Sequence, residues 1–165
     1  MNTKFKVSEN GNSYTVEGSV SESDIVDFAN ALAASKLKKG ESIKSPTDIA
    51  VYLQRLLASY EHEVFGMVLL NSQNEILETL DLFRGSVSSA SVSVREVVKE
   101  ALKRNCSNAI LYHNHPSGNP EPSSSDRAIT DRIVKALDLV GEIKVLDHMV
   151  VSSGGWISFA ERGLI

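Results

Sequence analysis

The stretch LYHNHPSGNPEPSSSD, residues 111–126, indicates both the fold class and the chemistry of this chain. His113 ends an apolar run, NAILYH, which predicts a short buried strand, and His115 lies two residues later. Side chains at positions i and i+2 of a strand point to the same face, so the two imidazoles project together from the C-terminal end of this strand. Active sites of α/β sheets lie beyond such strand ends.

A loop restricted by three prolines leads from these histidines to Asp126, in the first turn of a helix predicted to begin near Ser123. The stiff loop lowers the entropy lost when the carboxylate is held over the histidines. Two histidines, one aspartate and an open fourth position are typical of catalytic zinc, which brings the pKa of bound water to around 7. Ser123 and Asp126 also have the spacing of a helix capping box, which by itself explains such a pair in most proteins. The combination with the histidines favours a metal site.

Hydrolysis by metal-activated water also needs a proton acceptor outside this segment. Glu61 and Glu63 both lie at the start of the apolar run EVFGMVLL, which predicts the first core strand. Glu63 adjoins the apolar residues directly, where a carboxylate is costly to half-bury without a partner. From the residues alone, a charged strand edge that faces water is the more ordinary interpretation.

The rest of the chain alternates strands and helices over residues 63–159, which predicts an α/β fold with a mixed sheet. Before this region, residues 3–17 predict a small β-hairpin through the turn ENGNS, and Ser21 and Asp24 mark the start of a helix. Ser45 and Pro46 open a second helix. We therefore predict an N-terminal extension of unknown role, residues 1–44, and a main domain, residues 45–165.

Composition narrows the class of protein. The single cysteine, Cys106, excludes an intrachain disulfide, and no apolar run approaches the roughly 18 residues that span a bilayer. We expect a cytoplasmic protein with no membrane partner. The net charge is −4, and the basic cluster KLKKGESIK at 36–44 is small, so charge gives no support to nucleic-acid binding. His148 follows Asp147 in a predicted strand, where a buried, satisfied histidine is favoured over a role beside the metal.

With ten residues between His115 and Asp126, a serine three positions before the aspartate and the distant Glu63, the segment HNHPSGNPEPSSSD resembles the JAMM (MPN+) metalloprotease signature. More closely, LFRGSVSSASVSVREVVKEALKRNCSNAILYHNHPSG and the later VLDHMVV and GGWISFAERG resemble the bacterial RadC family. The resemblance covers about residues 45–165.

This resemblance implies a cytidine-deaminase-like fold, a mixed β-sheet flanked by helices. It implies Zn²⁺ held by His113, His115 and Asp126, with Glu63 as general acid/base and Ser123 as a hydrogen-bond donor to the oxyanion. JAMM enzymes cleave amide bonds, so a protein or peptide substrate is expected.

Two other functions stay open: a DNA-repair-associated protein that acts on or near nucleic acid, and a non-catalytic interaction domain. Two departures from the RadC pattern bear on this choice. Residues 1–44 lack the helix-hairpin-helix DNA-binding pattern common in RadC chains, and Ser93 and Val94 replace the usual tyrosine and proline.

Overall fold

The computed structural model describes residues 4–7, 14–36, 40, 42–57, 60–85 and 92–165, with the backbone alone described for 30–36. The chain divides into two compact units, Met1–Lys36 and Leu37–Ile165. The predicted turn ENGNS and most of the KLKK part of the basic cluster lie outside the described residues.

The first unit contains the predicted hairpin and helix. Strand β1 (Phe5–Val7) pairs antiparallel with β2 (Tyr14–Val16), and helix α1 spans Glu22–Lys36. The ring of Phe28 on the helix stacks on that of Phe5, with centroids 4.0 Å apart. Ser21 and Asp24 form the predicted capping arrangement, because each side chain accepts a hydrogen bond from the other residue's backbone N–H.

The second unit is built on one five-stranded mixed sheet. Its elements in chain order are α2 (Pro46–Leu57), β3 (Val64–Leu70), β4 (Ile76–Arg84), α3 (Val94–Lys103), β5 (Asn108–Asn114), α4 (Ser124–Gly141), β6 (Lys144–Ser152) and β7 (Gly155–Ser158). The strand order is β4-β3-β5-β6-β7, and the β5–β6 pair alone is parallel. Helix α4 supplies the crossover that a parallel pair requires. The predicted mixed sheet flanked by helices is confirmed, and it is consistent with the cytidine-deaminase-like fold.

Strand β3, inside the sheet, is buried on both faces, which explains its unbroken apolar run. Alternate residues of β5 enter different hydrophobic clusters. Ala109 and Leu111 join a cluster with α3 and α4, whereas Ile110 and Tyr112 join one with α2. The same alternation carries His113 to the α4 side and Asn114 to the α2 side.

Helix α4 begins after Ser123, its N-cap, as the sequence predicted. Gly141 is the last helical residue, and Glu142 takes the left-handed conformation, with φ 52°, that closes the helix. Within the described part of the chain, none of the helices combines the length and apolar character that a bilayer-spanning segment requires.

Candidate metal centre

The three predicted ligands meet where β5 ends and α4 begins. The Nε2 atoms of His113 and His115 lie 2.9 Å apart. Asp126 Oδ1 is 3.6 Å from the Nε2 of His113, and Oδ2 is 3.7 Å from that of His115. One candidate ligand atom from each side chain therefore lies within 4.8 Å of the others. The loop brings the aspartate to the histidines, as the sequence predicted.

The donor set suits a zinc ion, because each imidazole uses its other nitrogen elsewhere. His115 Nδ1 lies 2.8 Å from the carbonyl oxygen of Asn119, which can only accept, so this nitrogen carries the proton. His113 Nδ1 lies 2.8 Å from Nε2 of His148. Both Nε2 atoms are left to converge beside a carboxylate, and two imidazoles with one carboxylate are a zinc ligand set that leaves a position for water.

Burial and charge shift the pKa of each side chain in this cluster: the shifts at His113 and Asp126 favour the metal-binding protonation states, whereas the shift at His115 favours the protonated ring. Burial lowers the pKa of His113, whose side chain is fully buried, and so favours the neutral ring. The contact with Asp126 raises the pKa of His115 against partial burial. Although burial opposes ionisation of Asp126, its interactions with His113, His115 and Ser123 hold the pKa of that carboxyl well below its usual range. Asp126 is therefore a carboxylate at neutral pH.

Asp126 serves as both helix cap and candidate ligand. Its Oδ2 accepts hydrogen bonds from the backbone N–H of Ser123 at 2.7 Å and from the Ser123 hydroxyl at 2.6 Å, and its own N–H donates to Ser123 Oγ at 3.1 Å. The capping box and the candidate metal site thus share this carboxylate, because capping fixes the side chain that faces the histidines. The hydroxyl of Ser123 donates to Asp126 here, and its role toward an oxyanion stays a prediction.

Glu63 stands just before β3 and is half-buried. Phe65 pairs with His113 across the two strands, so Glu63, two residues earlier, is on the same face as the metal ligands. The main influence on the pKa of His113 is burial, and the main influence on the pKa of His115 is its contact with Asp126. The negative charge of Glu63 raises the pKa of both histidines to a smaller extent. The carboxylate is therefore within electrostatic reach of both rings. Glu61 is exposed and lines a cleft beside His115.

Asn114, between the two histidines, holds the segment that carries Glu63. Its amide oxygen accepts from the backbone N–H of Val64 at 2.6 Å, and its amide nitrogen donates to the carbonyl of His62 at 3.1 Å. These two backbone groups flank Glu63 in sequence. The asparagine that points away from the metal ligands is therefore the link between their strand and the candidate base. Sequence reasoning assigned Asn114 no role.

The sequence favours a buried, satisfied histidine at position 148, and the structure confirms that burial. Its ring is fully buried and touches His113 rather than only filling space. The cause is a bulge in β6: Ala109 pairs with Val145 but Ile110 pairs with Asp147, so one extra residue enters β6. Such an insertion reverses the alternation of side chains beyond it and turns His148 to the α4 side. Simple alternation, the one signal in the sequence, gives the opposite face.

A cleft of about 400 Å³ opens beside the centre on the side of α2. Of the three ligands, His115 alone reaches its wall, in keeping with a side chain that is 14% exposed while those of His113 and Asp126 are 0% and 4%. The other lining residues include polar and apolar side chains: Gln54, Leu57, Tyr60, Glu61, Asn114, Pro116, Val151, Ser152 and Ser153. A substrate in this cleft would approach the centre past His115.

Comparison with known sequences identifies the family. The family described as the RadC-like JAB domain matches residues 43–164. The chain is 46% identical over 139 residues to a UPF0758 protein of Vibrio cholerae serotype O1, an alignment that covers 84% of this chain and 87% of that protein. It is 48% identical over 141 residues to a UPF0758 protein of Methylibium petroleiphilum, covering 86% of this chain and 63% of that protein.

A UPF0758 protein of Tolumonas auensis is 45% identical over 139 residues, with 84% of this chain and 62% of that protein covered. The chain thus spans less than two thirds of the length of the Methylibium and Tolumonas relatives. The family match covers most of the chain and contains every candidate site residue, and the resemblance to RadC is confirmed. The chain belongs to the RadC-like JAB domain family.

Proposed function

We propose that this protein is a zinc-dependent hydrolase that cleaves amide bonds, either peptide or isopeptide. The observation that carries the proposal is the meeting of His113, His115 and Asp126, with both histidine Nε2 atoms and a carboxylate directed at one point. Family membership adds support, because the JAB domain is the fold in which the JAMM ligand set occurs. The whole protein's activity is part of the proposal.

In the proposed mechanism, His113, His115 and Asp126 hold the metal. A zinc ion held by these residues would supply an activated water near neutral pH and Lewis-acid polarisation of the scissile carbonyl. Glu63 accepts a proton from the attacking water and later gives it to the leaving amine, a role that fits its position on the ligand face of β3. Ser123 turns its hydroxyl from Asp126 to the oxyanion as negative charge develops there.

A protein or peptide is the substrate class we propose. The cleft beside His115 is lined by polar residues next to apolar ones, a combination that suits a peptide. Glu61 on its wall adds a negative charge, which disfavours a phosphate backbone.

The test is hydrolysis of peptide and isopeptide libraries by the zinc-loaded protein, with single- and double-stranded DNA assayed in parallel. Glu63→Gln is expected to reduce amide hydrolysis by about 100-fold or more, the usual contribution of a general acid/base. Glu142→Gln, the same change at an exposed residue at the opposite end of α4 from Asp126, is expected to retain turnover. Equal activity of the Glu63→Gln and wild-type proteins would contradict the mechanism, and cleavage of DNA alone would replace it with the nucleic-acid alternative.

A further inference from the structure

A chain of hydrogen bonds leads from the backbone of α4 through two buried side chains to the first metal ligand. The hydroxyl of Thr130 lies 2.6 Å from the carbonyl oxygen of Asp126, one helical turn earlier, and 2.6 Å from Nδ1 of His148. His148 Nε2 in turn lies 2.8 Å from Nδ1 of His113. Thr130 is 1% exposed and His148 is 0% exposed, so water does not complete these bonds.

Counting protons gives the direction of every bond in this chain. A carbonyl oxygen can only accept, so the single hydroxyl proton of Thr130 goes to Asp126. The Thr130 oxygen must then accept from His148, which places the His148 proton on Nδ1. A neutral imidazole has one N–H, so His148 Nε2 is an acceptor and takes the proton of His113 Nδ1. The Nε2 of His113 is left with its lone pair facing His115 and Asp126.

We infer that His148 and Thr130 are positioning residues that fix the tautomer and ring orientation of His113 for metal binding. This inference rests on the metal centre of the proposed function and assigns roles to two residues that do not touch the metal. Partners of this kind, which accept the second N–H of a ligating histidine, make the ligand more basic, and their loss weakens metal binding by about 10- to 100-fold.

The surroundings of His148 permit little adjustment. Its ring lies between those of Phe65 and Phe159, with centroids 5.6 Å and 4.7 Å away. The β6 bulge and these two rings set the position of His148, while Thr130 sets which nitrogen carries its proton. Because Thr130 also bonds to the carbonyl of Asp126, the chain ties two of the three ligands together.

The experiment is the zinc dissociation constant, measured by competition with a chromophoric chelator, for four variants. His148→Leu removes the acceptor, and His148→Gln retains one, because the amide oxygen of glutamine can reach the place of Nε2. Thr130→Val keeps the shape of Thr130 without the hydroxyl. Tyr112→Phe is the matched control, since it removes a buried hydroxyl of β5 that bonds to Asp81, on the opposite face of the sheet.

We expect His148→Leu to weaken zinc binding by about 10- to 100-fold, with Thr130→Val intermediate and both His148→Gln and Tyr112→Phe within a few-fold of wild type. Nitrogen-15 spectra of the zinc-loaded wild type should show the His148 proton on Nδ1. A His148 proton on Nε2, or equal zinc affinity of His148→Leu and wild type, would overturn the inference while leaving the metal centre intact. If His148→Leu fails to fold, Thr130→Val and the spectra decide.

Failure of the wild type to bind zinc would give a different outcome. It would remove the metal centre and with it both this inference and the proposed function. Loss of hydrolysis alone, with the predicted order of zinc affinities preserved, would refute the proposed reaction but support the positioning role of His148 and Thr130.

Discussion

Replacement of Asn114 by alanine tests how the fold positions Glu63. Asn114 is 4% exposed and Val64, whose N–H donates to its amide oxygen, is fully buried, so Asn114→Ala removes the side-chain partner of a buried N–H. An unsatisfied buried backbone group costs about 1–3 kcal/mol. The exposed His62 can replace its lost bond with water, so the loss there adds less. A loss of about 2 kcal/mol in the free energy of unfolding lowers the melting temperature of a chain of this size by roughly 4–8 °C.

Thermal unfolding of the zinc-loaded protein checks the loss of stability. A comparison of amide hydrolysis with zinc affinity checks the effect on Glu63. Hydrolysis should fall more than zinc affinity does, because Glu63 loses its support while the ligands keep theirs. Asn108→Ala is the control, since this asparagine of the same strand bonds through its side chain to Asn71 and Asn74, far from Glu63 in the β5 register. If Asn114→Ala unfolds within about 0.5 kcal/mol of wild type, as surface changes do, then Asn114 does not hold the Glu63 segment.

Three further predictions concern the loop, the proton and the thiol. A Cβ added at Gly154 would lie 2.3 Å from the backbone oxygen of Gly118, so Gly154→Ala should displace the loop that contains Gly118 and weaken zinc binding. Ser153→Ala, at the exposed neighbouring residue, should leave zinc binding unchanged. Equal zinc affinities of the two variants in a chelator titration would refute this prediction. Asp126 raises the pKa of His115 above the value of about 6.5 that is usual for histidine. Protons should therefore begin to compete with zinc at a higher pH than they do at an ordinary histidine. Zinc affinity measured from pH 8 downward should start to fall above about pH 6.5. An affinity constant down to pH 6 would contradict it. Burial raises the pKa of the Cys106 thiol, so a thiol reagent should label it slowly in the folded protein and fast in denaturant, and equal rates would show that the site is open.

The meeting of His113, His115 and Asp126 could be predicted because their geometry is local. His113 and His115 follow from the two-residue period of one strand, and Asp126 follows from a helix start within the same segment. In the sequence, the capping pattern at Ser123 competes with the metal interpretation, yet in the structure one carboxylate both accepts the capping hydrogen bonds and faces the histidines. From the sequence alone, capping and metal binding stand as alternatives, because the sequence shows the spacing of Ser123 and Asp126 but not the positions of the two carboxylate oxygens of Asp126.

The supporting residues could not be predicted, because they depend on register. His148 reaches His113 only through the bulge between Val145 and Asp147, and nothing in the residue types marks an inserted residue there. Asn114 supports Glu63 because β5 pairs antiparallel with β3, a pairing between segments about fifty residues apart. Long-range pairing of this kind is decided by the whole sheet rather than by any local pattern.

Metal content tests the central claim most directly. Elemental analysis would measure zinc per chain under one set of conditions in the purified wild type and in the double variant His113→Ala/His115→Ala. His62→Ala is the control for an exposed histidine. We expect about one zinc per chain in the wild type and in His62→Ala, and none in the double variant. Absence of zinc from the wild type after zinc has been supplied, or retention of zinc by the double variant, would contradict it.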